Sequence, residues 1–208
     1  MSKYFQDRDY IYYPNTSIPI NKLNIREQEK LEKEEQKLLI LGYKYFHNLM
    51  KEDTIFDEKY YKELHMITFL DLYVFAGKYR NFNISKGSTT FCQVRFLQQM
   101  SKEIFGKLKK ENYLRNYSDK PKEEFARKIT FFVGELIALH PFFELNGRVT
   151  RLFFDMIATY NGYSYINYQD ALTLEGDDNK YIAASIDCMT GNDDKMYQII
   201  VNGLNKAK

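Results

Sequence analysis

A mainly α-helical, single-domain protein is what this sequence predicts, on three observations. Apolar residues near the middle of the chain recur at helical spacing: Ile129, Phe132, Val133, Leu136 and Ile137 follow the i, i+3, i+4, i+7, i+8 rule that places one face of a helix in a core. A second stripe follows soon after, made of Val149, Leu152, Phe153, Met156, Ile157 and Tyr160. Finally, Pro and Gly are sparse, four and ten in 208 residues, and no run of them marks a linker between domains or a repeat. A chain of this length with 44% hydrophobic residues, its aromatics supplied by Tyr and Phe, has enough apolar surface to bury a core.

The elements follow in order. Residues 1–25 read as irregular, with a tyrosine cluster (Tyr10, Tyr12, Tyr13) and two prolines. Asn24 is a side-chain cap for a helix starting near Arg26 and running to about Met50. Asp57 opens the next helix, which passes Leu64 and ends near Phe75, with Gly77 as its stop. Residues 79–92 change character: Tyr79 to Ser85 alternates, and Thr89-Thr-Phe-Cys92 follows Lys86-Gly87-Ser88, which predicts a β-hairpin around a glycine turn. It is the one convincing strand signal. Helices are expected over about Val94 to Lys110, over 121–139, from near Gly147 onward, and over about 179–189 and 193–204. The division is one domain over 1–208, with a core over 26–165 and C-terminal helices over 166–208.

Composition excludes some function classes. The net charge of +2 provides no global field for gripping nucleic acid. Cys92 and Cys188 lie far apart without metal-ligand spacing and read as thiols in a reducing compartment. The polar start, Met1 to Tyr10, shows no secretory signal, and no stretch is apolar enough to span a bilayer. The expectation is a soluble, cytoplasmic protein without nucleic-acid or membrane partners; export into a host would need a specialised route that this sequence does not display.

The informative stretch is His140-Pro-Phe-Phe-Glu-Leu-Asn-Gly-Arg-Val-Thr-Arg151. His140 continues the apolar face of the helix before it. Glu144 is a carboxylate in a short loop, suited to a divalent cation. Asn146 is a good N-cap for the next helix, whose first N–H groups, around Gly147 and Arg148, favour an anion. Arg148 and Arg151 add positive charge suited to phosphate oxygens. A base, a metal ligand, an N–H cradle and two arginines are the parts that phosphate-transfer chemistry uses. The same residues have plain structural readings. A histidine ending a core helix is often a hydrogen-bonded core residue, Asn146 can be only a cap, Glu144 a solvated acid, and the arginines surface residues.

These residues resemble the signature of Fic proteins, H-x-F-x-D/E-G-N-G-R-x-x-R, at His140, Phe142, Glu144, Asn146, Gly147, Arg148 and Arg151. Leu64-His65 through Asp71-Leu72-Tyr73-Val-Phe-Ala-Gly77-Lys-Tyr-Arg80 is similar to the family's helix and its Y-x-W-A-G-x-x-R run, with Phe75 in place of Trp. Asn83 to Gly87 and Phe91 resemble its flap hairpin. Tyr12-Tyr13-Pro14-Asn15-Thr16 and Asn21 to Arg26 resemble the N-terminal segment of Fic proteins that work with a separate small antitoxin. The resemblance covers most of residues 10–165.

The resemblance implies a helical bundle with a small β-hairpin flap, and a protein adenylyltransferase that moves AMP from ATP to a Tyr, Thr or Ser hydroxyl of a target protein. It implies His140 as general base and Glu144 as the Mg²⁺ ligand. Asn146 and the N–H groups beside Gly147 would cradle the α- and β-phosphates, Arg148 would neutralise the triphosphate, and Arg151 would reach its γ end. The flap, with Ile84, Ser85, Lys86 and Gly87, would pair with the main chain of the target as an added strand. Gly147 resembles the AMP-transferring majority rather than the smaller phosphorylating branch, which has Lys there.

Leu145 stands where the family has Gly. Were the position to need φ > 0, leucine would cost about 1–2 kcal/mol of strain; with an ordinary φ, only crowding would matter. The departure leaves an alternative: a nucleotide-binding protein of weakened chemistry that acts through protein interaction. The family's inhibitory motif, S/T-x-x-x-E-G/N, whose glutamate pairs with the second arginine, has no match here. Glu175-Gly176 is preceded by Ala171, and the Glu58 of Thr54-x-x-x-Glu58 is followed by Lys59. The expectation is a toxin-like enzyme held off by a separate antitoxin that brings a glutamate to Arg151.

Overall fold

The computed structural model describes residues 11–87, 89–173 and 179–207; Tyr10, Ser88 and the Glu175-Gly176 pair, named above, lie outside the described residues. Helix α1 spans Gln28–Leu49, α2 Glu58–Phe69, α3 Val94–Lys110, α4 Lys122–Leu139 and α5 Asn146–Tyr160. A short α6 (Gln169–Leu172), not expected from the sequence, precedes α7 (Lys180–Met189) and α8 (Asp194–Gly203). Strands β1 (Ser85–Lys86) and β2 (Thr89–Thr90) form an antiparallel hairpin in which Ser85 pairs with Thr90 and Lys86 with Thr89.

Two helices make the centre. The apolar stripe read in α4 is buried from Phe125 to Leu139, and α4 packs against α3, α5, α7 and α8. Helix α5 is buried on nearly every side, from Val149 through Ala158, as befits a helix enclosed by others. Its polar residues are satisfied inside: Thr150 Oγ1 lies 2.9 Å from the Tyr61 hydroxyl, and Asp155 accepts the Tyr43 hydroxyl at 2.5 Å and Ile166 N–H at 2.8 Å. Buried polar groups left without partners would cost far more than these bonds contribute. Helices α1 and α2 close one side. They approach so tightly at Gly42 that a Cβ there would meet Thr68 Oγ1 at 2.5 Å.

Three boundaries differ from expectation. Helix α1 begins at Gln28, and Asn24 does not cap it: Asn24 has φ 57° and accepts the Tyr13 hydroxyl at 3.0 Å. The turn before α1 is organised instead by Asn21, whose Oδ1 accepts Ile25 N–H and whose Nδ2 donates to the carbonyls of Pro19 and Ile25. Helix α2, capped by Asp57 as expected, stops at Phe69 rather than near Phe75. Lys22 takes the carbonyls beyond it, Nζ bonding Leu70 O and the backbone N–H bonding Leu72 O. Pairing between the strands of the flap covers only residues 85–90, and Tyr79 instead forms an isolated bridge with Phe142. Both cysteines are free and half-buried.

Candidate active site

Helix α4 ends on a residue in the left-handed conformation, and that residue is His140, with φ 44° and ψ 59°. Helices commonly end this way on Gly or Asn, so a histidine here needs outside support. Arg80, 2% exposed, supplies it: Nε donates to His140 O at 2.8 Å, Nη1 to Phe82 O at 2.8 Å, and Nη2 to the carbonyls of Leu139 and Cys92. The backbone adds Arg80 N–H to Pro141 O at 2.8 Å and Cys92 N–H to Ala138 O at 2.9 Å. The two ends of the flap are thus fastened to the end of α4.

From the flap, Phe91 stacks on the half-buried His140 ring with centroids 3.8 Å apart. Burial, then the Arg80 charge, pushes His140 down to about 3, against a hydrogen bond to the Ile137 carbonyl that works the other way. The imidazole is therefore neutral at pH 7 and has a lone pair to offer.

The loop after His140 is held from three directions. Phe142 is fully buried between His65, Tyr61 and Tyr79, stacked on the His65 ring at 4.0 Å. His65 Nδ1 accepts Gly77 N–H at 2.8 Å, and Nε2 lies 3.2 Å from Glu144 O. That pattern assigns the proton to Nε2, and burial keeps the ring neutral by pushing its pKa down to about 4. Asn146 closes the loop on itself: Oδ1 accepts Phe142 N–H at 2.8 Å and Nδ2 donates to Phe142 O at 2.9 Å.

Asn146 is therefore not the cap of α5, as the sequence suggested. Its amide is engaged in bracing the loop, and Leu145 occupies the cap position with φ 67° and no side-chain bond to the helix. Leu145 is in the left-handed region, so of the two alternatives for this position the strained one holds. The first turn of α5 contains no acidic residue. Gly147 is not demanded by the chain itself: a Cβ there would meet only Arg151 Nη1, at an ordinary 3.7 Å.

The charged side chains complete the site. Glu144, 7% exposed, accepts the Tyr12 hydroxyl on Oε1 at 2.6 Å. Arg148 Nη1 lies 2.6 Å from Glu35 Oε2. Arg151 is half-buried, its guanidinium 5.0 Å from the centre of the Tyr181 ring and 6.0 Å from that of Tyr168. Among the described residues no cluster of three or more His, Cys, Asp or Glu forms a metal cage. The single carboxylate of Glu144 suits Mg²⁺, which keeps several waters and shares its shell with phosphate oxygens.

A sequence model of the Fic/DOC family matches residues 55–158, half of the chain, and takes in His65, Arg80, the flap and the stretch from His140 to Arg151. The chain belongs to the Fic/DOC family. "Probable protein adenylyltransferase y4lH" of Sinorhizobium fredii is 31% identical over 166 residues, 78% of this chain and 82% of that protein. "Protein adenylyltransferase VbhT" of Bartonella schoenbuchensis is 30% identical over 99% of this chain, which spans 41% of that longer protein. In fold, the chain is similar to the BepC protein of Bartonella tribocorum, solved with bound AMPPNP: the TM-score is 0.80 at 19% identity, covering 97% of this chain and 99% of that one.

In this Fic chain the signature residues lie on the end of α4, the loop and the start of α5. The flap residues Ile84, Ser85, Lys86 and Gly87 lie on the segment whose ends are fastened beside His140; Ile84 is buried, Lys86 and Gly87 are exposed, and Gly87 makes the turn with φ 59°. Sequence reasoning missed Glu35. The available signal was a carboxylate on the buried stripe of α1, with Leu31, Leu39, Gly42 and Phe46. It also gave no role to Tyr12, His65 or Arg80, although all three stand in segments that resemble the family.

Proposed function

We propose that this chain is a protein adenylyltransferase. A hydroxyl oxygen of a target protein attacks the α-phosphorus of ATP, and the bond from that phosphorus to the oxygen bridging to the β-phosphorus breaks. Pyrophosphate leaves, and the hydroxyl proton passes to His140. The observation that carries the reading is the junction of α4 and α5. There a neutral histidine, supported by Arg80, stands one short loop away from a helix start with no acidic residue and no side-chain cap. Free N–H groups at such a start, with the helix dipole, favour phosphate oxygens. The backbone of Asn146 and Gly147 would hold the α- and β-phosphates, and Gly147 leaves room for them. Arg148 would neutralise the triphosphate and Arg151 would take its γ end. Glu144 would hold Mg²⁺, which supplies charge neutralisation on the phosphates. Strands β1 and β2 form a two-stranded sheet, and its outer edges suit main-chain pairing with an extended target segment.

The test is transfer of label from α-³²P-ATP with Mg²⁺ into whole-cell protein. Label is expected with wild type and not with His140→Ala; equal labelling by both would remove His140 from its assigned role. A second reading is favoured by Leu145 at φ 67°, which makes this a nucleotide-binding protein with weakened transfer. It predicts measurable ATP binding with little label, restored by Leu145→Gly.

Regulation by a separate antitoxin is part of the proposal. It is supported by the absence of S/T-x-x-x-E-G/N from these 208 residues. A small protein should co-purify with the chain and dissociate on Arg151→Ala; a chain that is fully active beside every neighbouring gene product would count against it. No helix among the described residues is long and apolar enough to cross a membrane, and we place the protein in the cytoplasm, to be checked by cell fractionation.

A further inference from the structure

The arginine that opens the second half of the motif is held by an acid from the far end of the chain. Arg148 Nη1 lies 2.6 Å from Oε2 of Glu35, and Oε1 of the same carboxylate accepts the Tyr73 hydroxyl at 2.5 Å. Glu35 is 6% exposed and Tyr73 1%, while Arg148 is half-buried. Tyr73 is fixed in turn by stacking on Phe75 at 4.7 Å. Burial and the neighbouring Glu35 charge push its ionisation well above the ordinary phenol range, so it remains a donor. The three residues come from α1, from the turns after α2 and from α5.

A buried ion pair is a poor source of stability, because desolvation offsets most of the attraction. A rigid acid is instead a good way to hold a long, flexible side chain. Glu35 takes one end of the guanidinium and leaves its other N–H donors for an anion. We propose that Glu35 is a positioning residue for ATP: held by Tyr73, it acts through Arg148 and fixes that guanidinium before the nucleotide arrives. This rests on the adenylyltransferase reading and adds to it a residue outside the motif. Charge alone makes the opposite prediction. An acid beside a phosphate-binding arginine weakens its attraction for phosphate, so removing Glu35 would tighten binding if orientation did not matter. Preorganisation predicts that binding weakens.

The experiment is calorimetric titration of the full chain with ATP and Mg²⁺, without any target protein, with thermal unfolding run on each variant. Glu35→Gln is expected to weaken ATP binding by about tenfold and Tyr73→Phe by about threefold. Arg148→Ala should weaken it as well, and the double variant Glu35→Gln/Arg148→Ala should bind no more weakly than Arg148→Ala alone. In transfer assays Glu35→Gln should raise KM for ATP with kcat unchanged. Binding by Glu35→Gln equal to or tighter than wild type overturns the inference, as does a tenfold effect that persists without Arg148. Should Glu35→Gln fail to fold, Tyr73→Phe decides, and wild-type binding by that variant overturns it. A folded wild type that does not bind ATP would sink the functional reading and this inference together; weak binding by Arg148→Ala beside normal binding by Glu35→Gln sinks this inference alone.

Discussion

Leu145 is the residue at which conformation and chemistry compete. Its φ of 67° costs a leucine about 1–2 kcal/mol of strain. Its side chain is 8% exposed, and burying a leucine contributes about 1.5–3 kcal/mol. Burial outweighs strain, so Leu145→Gly should lower stability by about 1 kcal/mol by urea unfolding, while labelling from α-³²P-ATP rises several-fold. A variant both more stable and no more active would show that the strain is not what limits transfer. The motif residues were legible because they sit within twelve consecutive positions. The residues that brace them were not: Tyr12 is 132 positions from Glu144, and Glu35 is 113 from Arg148. Asn146 was misread for a related reason. An asparagine before a helix caps it when its side chain turns toward the helix, and here the Phe142 backbone claims both ends of the amide.

At the scale of elements, periodicity located the two central helices and cap and stop residues pointed to α1 and α2, while α3 falls on its expected bounds, Val94–Lys110. The ends went astray where another segment took over the backbone bonds. Residues 70–76 retain the apolar composition of a helix, and Leu72, Tyr73, Phe75 and Ala76 are buried, yet Lys22 draws the chain out of helical register through the Leu70 and Leu72 carbonyls. Composition does not reveal such long-range partners. The α1–α2 crossing gives a sharper test. At Gly42 an added methyl would sit 2.5 Å from Thr68 Oγ1 and 2.9 Å from its Cγ2. Alanine improves helix propensity by about 1 kcal/mol, but overpacking costs about 1–3 kcal/mol. Gly42→Ala should therefore lower the melting temperature, and Gly42→Ala/Thr68→Ala should recover most of the loss. A stabilised Gly42→Ala would mean that the two helices are not held at this distance.

For the molecule as a whole, two buried groups, His65 and Asp155, and the half-buried His140 set the response to acid. His140 and His65 are pushed down to about 3 and 4, from an ordinary 6.5, so from about pH 6 to 4.5 the unfolded chain binds up to two protons that the folded chain refuses. Stability from these two is full above pH 6.5 and is lost as pH falls. Asp155 acts in the opposite sense. Burial pushes it up to about 7 from 3.8, so over the same window the folded chain holds a proton that the unfolded chain releases. The net difference is about one proton, and unfolding free energy should fall by about 1.4 kcal/mol per pH unit between pH 6 and 4.5. Asp155→Asn removes the opposing group and should roughly double that slope. Urea unfolding at several pH values reads both, and a flat profile in wild type would show that the two rings are not held neutral.

Arg80 grips the flap and the end of α4 through carbonyl oxygens, those of Phe82, Cys92, Leu139 and His140. A carbonyl is the same whatever side chain it accompanies. The exposed side chains of the flap, Lys86 and Thr90 among them, can thereby change while the histidine beneath keeps its place. Were the flap to meet a target protein as proposed, the choice of target could diverge among descendants without disturbing the fastening of the loop.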